Sequence, residues 1–141
     1  MEFLEYLEEK LHIEPHPILV HFPIAFYFLE FVFLLYWIKK QDKNFLDFAR
    51  FVFRLGYIFM VVAMIFGFHD AGGVAGIQGR VRNHFMAAAS VFLFYTARAF
   101  FWRFGKVEEA SYKQTQLLFA FAGNILVAIT GYFGGLLVYA K

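Results

Sequence analysis

Residues 117–140 read LLFAFAGNILVAITGYFGGLLVYA, a run without one charged side chain, and that run decides what kind of protein this is. A helix needs about 20 apolar residues to cross a hydrocarbon core. Working back along the chain, residues 17–38, 51–68 and 85–101 offer three more such stretches, interrupted only by Glu30, Arg54 and Arg98. The whole sequence shares the bias. With 61% hydrophobic and 17% charged residues and a mean hydropathy of +0.58, these 141 residues are too apolar for a soluble domain of their size. The connections Lys39–Arg50, His69–Asn83 and Phe104–Gln116 are short enough to join antiparallel neighbours directly. The expected fold is all-α: a single transmembrane domain over residues 1–141, built as an up-and-down four-helix bundle.

Charge sets the expected orientation. The first and third connections, with their flanks, carry Lys39, Lys40, Lys43, Arg50, Arg54, Arg98, Arg103, Lys106 and Lys113 against Asp42, Asp47, Glu108 and Glu109. By the positive-inside rule that face is cytoplasmic, so both termini are extracytoplasmic and the membrane is the cytoplasmic (inner) one. The opposite face holds Asp70, Arg80, Arg82 and an acidic N-terminal segment, with Glu2, Glu5, Glu8, Glu9 and Glu14 against Lys10. Residues 1–15 place Phe3, Leu4, Leu7 and Leu11 on one stripe, which reads as a short interfacial helix rather than a cleavable signal. Its acidic face either is plainly solvated or steers a basic partner such as a soluble cytochrome. Tyr36, Trp37 and Trp102 mark a cytoplasmic aromatic belt, and most of the 22 phenylalanines are expected to face lipid.

Five histidines, His12, His16, His21, His69 and His84, fall at the outer face under this topology. Cysteine is absent, so any metal or haem must be held by His, Met, carboxylate or main chain. His16 and His21 frame Pro17 and Pro23 in the string HPILVHFPIA. Five positions on a regular helix turn a side chain by about 140°, so the two would not face one partner. His12 reads as a solvated surface residue. The string resembles the opening of a family of predicted four-helix membrane proteins, domain of unknown function 2231. Gly67 and Asp70 at the end of helix two, His84 opening helix three, and the final GYFGGLLVY of residues 131–139 are consistent with it. The resemblance implies a four-helix fold and a set of important histidines, and in plan the family is similar to small b-type cytochromes. The acid and basic tail that usually close the family's last motif are missing here.

Intramembrane ionisable groups are expensive and by default functional, which singles out His21 and His84. Bis-histidine haem takes one imidazole from each side of the ring, and His21 with His84 is the expected pair. His16 and His69 offer a second haem site or supporting roles. Arg80 and Arg82 stand beside His84 as partners for haem propionates. Small residues on inner stripes (Gly56, Ala63, Gly67; Ala87, Ala88, Val91; Gly123, Val127, Gly131, Gly134) either admit a flat macrocycle or simply let helices pack closely. The expected function is a membrane b-type cytochrome, with one or two haems b, passing electrons between the quinone pool or a membrane partner and an outer acceptor. The alternative is a non-redox module holding copper or zinc at the same histidines, or an assembly or anchoring subunit. Expected partners are the bilayer, other membrane or extracytoplasmic redox proteins, a second copy of the chain and a quinone. No phosphate-cradling loop or nucleic-acid motif is present.

Glu30 near the middle of helix one and Arg98 in the same leaflet of helix three are expected to form an ion pair that either fixes helix register or carries protons. No internal repeat is evident, which makes a transport path through a single copy the weakest reading.

Overall fold

Pro23 cannot donate its main-chain nitrogen, and the first span breaks where that donor is missing. In this computed structural model, which describes residues 15–104 and 110–139, a short helix α1 (Pro15–Leu19) gives way to α2 (His21–Lys40). Val20 bridges them: its N–H donates to His16 O (3.1 Å) and its carbonyl accepts from Ile24 N (3.4 Å), while the Leu19 carbonyl loses the partner that residue 23 would supply. The expected N-terminal interfacial helix and His12 lie outside the described residues.

The sequence reading places a twelve-residue connection after α2; the structure closes it in two residues. Gln41 adopts the left-handed conformation (φ 55°) and its N–H donates to Trp37 O at 2.8 Å, a common helix ending. Asp42 then caps α3 (Lys43–Asp70) by accepting from Asn44 N at 2.9 Å. The charged residues 43–50 are helical because Leu46 and Ala49 face inward and are buried. After α3, Gly72 and Gly73 take positive φ (74° and 70°) around a 3-10 turn, Gly73–Gly76, and the chain re-enters as α4 (Gly79–Phe104) and α5 (Ala110–Tyr139).

Helix α2 packs along α3 and against α5, α4 pairs with α5, and α3 touches α4 more sparingly. The core has two parts. Tyr27, Phe53, Met60, Val91 and Tyr95 fill the middle, and Leu34, Trp37, Leu46, Ala49 and Ala120 fill the end that carries Lys39, Lys40 and Arg103, called here the basic end. The outer surface is apolar as well, with Phe28, Phe51, Ile58, Leu93, Phe100 and Leu118 all exposed. Helices apolar on both faces belong in lipid. All four long helices have the length and composition to span a membrane, and the molecule is an all-α integral membrane bundle.

Two expectations are corrected. Of the proposed aromatic belt only Tyr36 is exposed; Trp37 is buried and Trp102 half-buried. Both are drawn in over cations, with Lys113 Nζ 5.3 Å from the Trp37 ring and Arg50 and Arg98 5.4 and 5.8 Å from Trp102.

The chain also contains an internal repeat. Glu30 meets Arg98, 68 residues further on. Tyr27 meets Tyr95 and His16 meets His84 at the same separation. Residues 16–40 and 43–70 form one hairpin and α4 and α5 a second, and each of these contacts joins a residue of the first to its counterpart in the second. Phe26 and Phe94, Phe33 and Phe101, Gly56 and Gly123, and Gly67 and Gly134 also correspond, the last two pairs with a separation of 67.

Candidate functional site: paired histidines and a buried ion pair

Because α1 is offset from α2, His16 swings inward and His21 does not. His21 is exposed and its Nδ1 lies 2.6 Å from Pro17 O, within its own turn. His16 instead crosses to α3, where Nδ1 is 2.8 Å from Ala63 O. Its ring lies on the main chain at Gly67: a Cβ there would fall 2.6 Å from His16 Cε1. His84 repeats the arrangement in the second hairpin. Its Nδ1 is 3.1 Å from Thr130 O, and a Cβ on Gly134 would come within 3.2 Å of its Cε1. In each case the accepting carbonyl lies four residues before the glycine, the helical periodicity that puts both on one stripe.

The two rings meet between the hairpins, with centroids 6.1 Å apart and planes at 75°. A carbonyl only accepts, so each Nδ1 carries a proton, and in the neutral ring Nε2 is the free, metal-binding nitrogen.

The structure therefore brings together His16 and His84, not the expected His21 and His84. The reason is the proline-induced break, which a regular helix does not contain. His69 sits at the end of α3, about half exposed, with Nδ1 3.6 Å from Asp70 Oδ1. The convergence of His21, His69 and His84 is not seen: among the described residues no three His, Cys, Asp or Glu side chains gather as a metal site. Arg80 and Arg82 are exposed in the first turn of α4, at the same end of the bundle as His84. Sequence reasoning missed the carbonyls of Ala63 and Thr130. It read Gly67 and Gly134 as either admitting a macrocycle or letting helices pack closely; in the structure each lies against an imidazole. Gly131, placed on the same inner stripe, is exposed, with nothing near its Cα to meet a side chain.

Beside the pair, α3 and α4 part into an open apolar groove of about 360 Å³ lined by Val61, Met64, Ile65, Phe68, Phe85 and Phe92. Phe85 follows His84 in sequence, and Phe68 follows Gly67.

Deeper in, Arg98 Nη1 donates to Glu30 Oε2 (2.8 Å) and Nη2 to Oε1 (2.5 Å), a bidentate pair in which both side chains are essentially inaccessible. Phe53 lies 5.3 Å from the guanidinium. Between this pair and the histidines stand the stacked rings of Tyr27 and Tyr95, then Pro23, Met60 and Val91, all buried.

Fold and site together define an integral membrane protein of two fused helical hairpins, with a histidine pair at one end and an ion pair inside. The chain belongs to the family described as predicted membrane protein (DUF2231), whose model matches residues 13–141. No curated protein and no solved structure matches it.

Proposed function

We propose that this is a small membrane electron-transfer protein of the b-type cytochrome class, with His16 and His84 as the residues that would hold one haem. The observation that carries the reading is the pair itself: two imidazoles with centroids 6.1 Å apart, one from each hairpin, each held through Nδ1 by a main-chain carbonyl. Ligating histidines characteristically donate their second nitrogen in this way. Zinc favours four ligands, and two imidazoles with no third His or carboxylate beside them among the described residues suit haem ligation better.

The residues around the pair fit the group. Gly67 and Gly134 leave room for the rings, the groove between α3 and α4 offers apolar walls for a macrocycle edge, and Arg80 and Arg82 supply guanidinium groups for propionates at the same end. Bound haem supplies one-electron chemistry. The chain holds the ligand tautomers, excludes water with Pro23, Met60 and Val91, and restricts exchange to its histidine end. The basic end contains no His or Cys among the described residues, so electrons pass laterally or outward, between quinone or a membrane partner and an extracytoplasmic acceptor. The basic end faces the cytoplasm of the inner-membrane topology.

The test is the absorption spectrum of detergent-purified protein from haem-replete cells, oxidised and dithionite-reduced. Sharp reduced α and Soret bands are expected, lost in His16→Ala and in His84→Ala and kept in His21→Ala. A featureless spectrum from folded, haem-replete protein overturns the reading, and loss of the bands in His21→Ala alone overturns the ligand assignment.

A further inference from the structure

The buried polar atoms that lack hydrogen-bond partners among the described residues are concentrated at the basic end. They are Arg98 Nε, Trp102 Nε1, Tyr112 Oη and both amide atoms of Gln116, with Tyr95 Oη the exception nearer the centre. Gln116 is 0% and Arg98 1% exposed, so neither reaches bulk solvent directly. Unpartnered donors and acceptors in an apolar interior are strongly disfavoured, and native proteins satisfy such groups with ordered water. Within a membrane, charged side chains characteristically face water-filled cavities.

These groups are arranged in file. Arg98 Nη2 lies 3.4 Å from Gln116 O. One turn toward the basic end on α5 comes Tyr112, whose hydroxyl lies toward both Gln116 and Arg50 without hydrogen-bond geometry to either. One turn along α4 from Arg98 comes Trp102, with the Arg50 guanidinium 5.4 Å from its ring. Arg50, from α3, keeps about a third of its side chain exposed. Three helices thus contribute polar groups between the partly exposed Arg50 and the ion pair. On the other side these groups stop. Tyr27 and Tyr95 stack at 3.6 Å, the Tyr27 hydroxyl donates to Met60 Sδ at 3.6 Å, and Pro23 and Val91 beyond are apolar.

We infer that the basic end holds a water-filled inlet running from Arg50 and Tyr112 past Gln116 to the Glu30–Arg98 pair, closed toward the histidines by the Tyr27–Tyr95 stack. The ligand is water, about three hydrogen bonds per molecule being the usual complement for a buried site. The ion pair is then solvated from one membrane face only. This inference does not depend on a cofactor at the histidine end.

The chain contains no cysteine, so one introduced thiol reports accessibility alone. Single Gln116→Cys and Tyr112→Cys variants, in vesicles exposing the basic end, are treated with the charged reagent sulfonatoethyl methanethiosulfonate. Val91→Cys and Ala120→Cys, both buried in the apolar core, serve as dry references. Modification at 116 and 112 at least tenfold faster than at 91 and 120 is the expected result. A Gln116→Cys rate equal to the dry references, with Tyr112→Cys reactive, overturns the inlet. Should Gln116→Cys not fold, the unaltered protein decides: ordered density within hydrogen-bond distance of Gln116 and Arg98 Nε in a structure that resolves waters supports the inlet, and dry, closed packing there overturns it.

Discussion

Tyr27 and Tyr95 stack face to face across the bundle, ring centroids 3.6 Å apart and planes 13° from parallel, and both are completely buried. They occupy corresponding positions in the two hairpins, 68 residues apart, and theirs is the closest ring contact among the described residues. Gly56 and Gly123 make this possible. A Cβ at Gly56 would meet Tyr27 Cε1 at 3.0 Å, and one at Gly123 would meet the Tyr95 hydroxyl at 2.5 Å.

The stack predicts an asymmetry between two substitutions at one position. Tyr95→Phe keeps the ring and removes a hydroxyl that has no partner among the described residues, so stability should hold or rise slightly. Tyr95→Ala opens a cavity in the core and should cost about 3–5 kcal/mol. Unfolding in mixed detergent micelles, followed by circular dichroism, separates the two. Equal losses would mean the hydroxyl has a structural partner.

The ion pair predicts non-additivity. Removing either partner leaves a buried charge, so Glu30→Gln or Arg98→Met should each cost about 3–5 kcal/mol, while Glu30→Met combined with Arg98→Met should recover most of that loss. Because Glu30 and Arg98 correspond under the repeat, the exchange Glu30→Arg with Arg98→Glu should also fold. A double variant no better than the singles would show that the charges hold something besides each other.

The four spans and the existence of the ion pair were legible because both follow from hydropathy and from the expense of an unpaired charge in lipid. The length of α3 was not, since residues 43–50 are charged and only burial of Leu46 and Ala49 reveals them as helix. The choice of histidine was not legible for a local reason: the rotation between His16 and His21 correctly sends them to different partners, but only the offset of α1 from α2 makes His16 the one that turns inward. The repeat escaped notice because so few side chains are identical between the halves, and Glu30 and Arg98 correspond while bearing opposite charge. Its signal was the equal separation of His16 from His84 and Tyr27 from Tyr95, a comparison that needs no structure once one pair is suspected.

Three glycines predict a graded series. Gly67→Ala drives a methyl into the His16 imidazole and should release His16 from Ala63. Gly134→Ala meets His84 less closely, at 3.2 Å, and should be milder. Gly131→Ala, on the same helix, meets nothing and should be neutral or stabilising by up to about 1 kcal/mol. Thermal unfolding gives the order of stability, and reduced-haem bands, where present, should weaken in the same order. Equal effects at all three positions would point to helix propensity rather than to imidazole seating.

The repeat itself predicts that the chain can be divided. Few contacts join α3 to α4 directly; what ties the hairpins is the pairing of α2 with α5 and the contacts between counterpart residues, all of which survive a cut in the 3-10 turn between Val74 and Ala75. Val74 and Ala75 are exposed, which suits a break. Residues 1–74 and 75–141, coexpressed and only one of them tagged, should copurify in equimolar amount. Introducing Arg98→Glu into the second fragment sets two carboxylates against each other and should abolish copurification; adding Glu30→Arg to the first should restore it. Rescue by that exchange is the informative result, because nonspecific adhesion of two apolar hairpins has no means of responding to the sign of one buried charge.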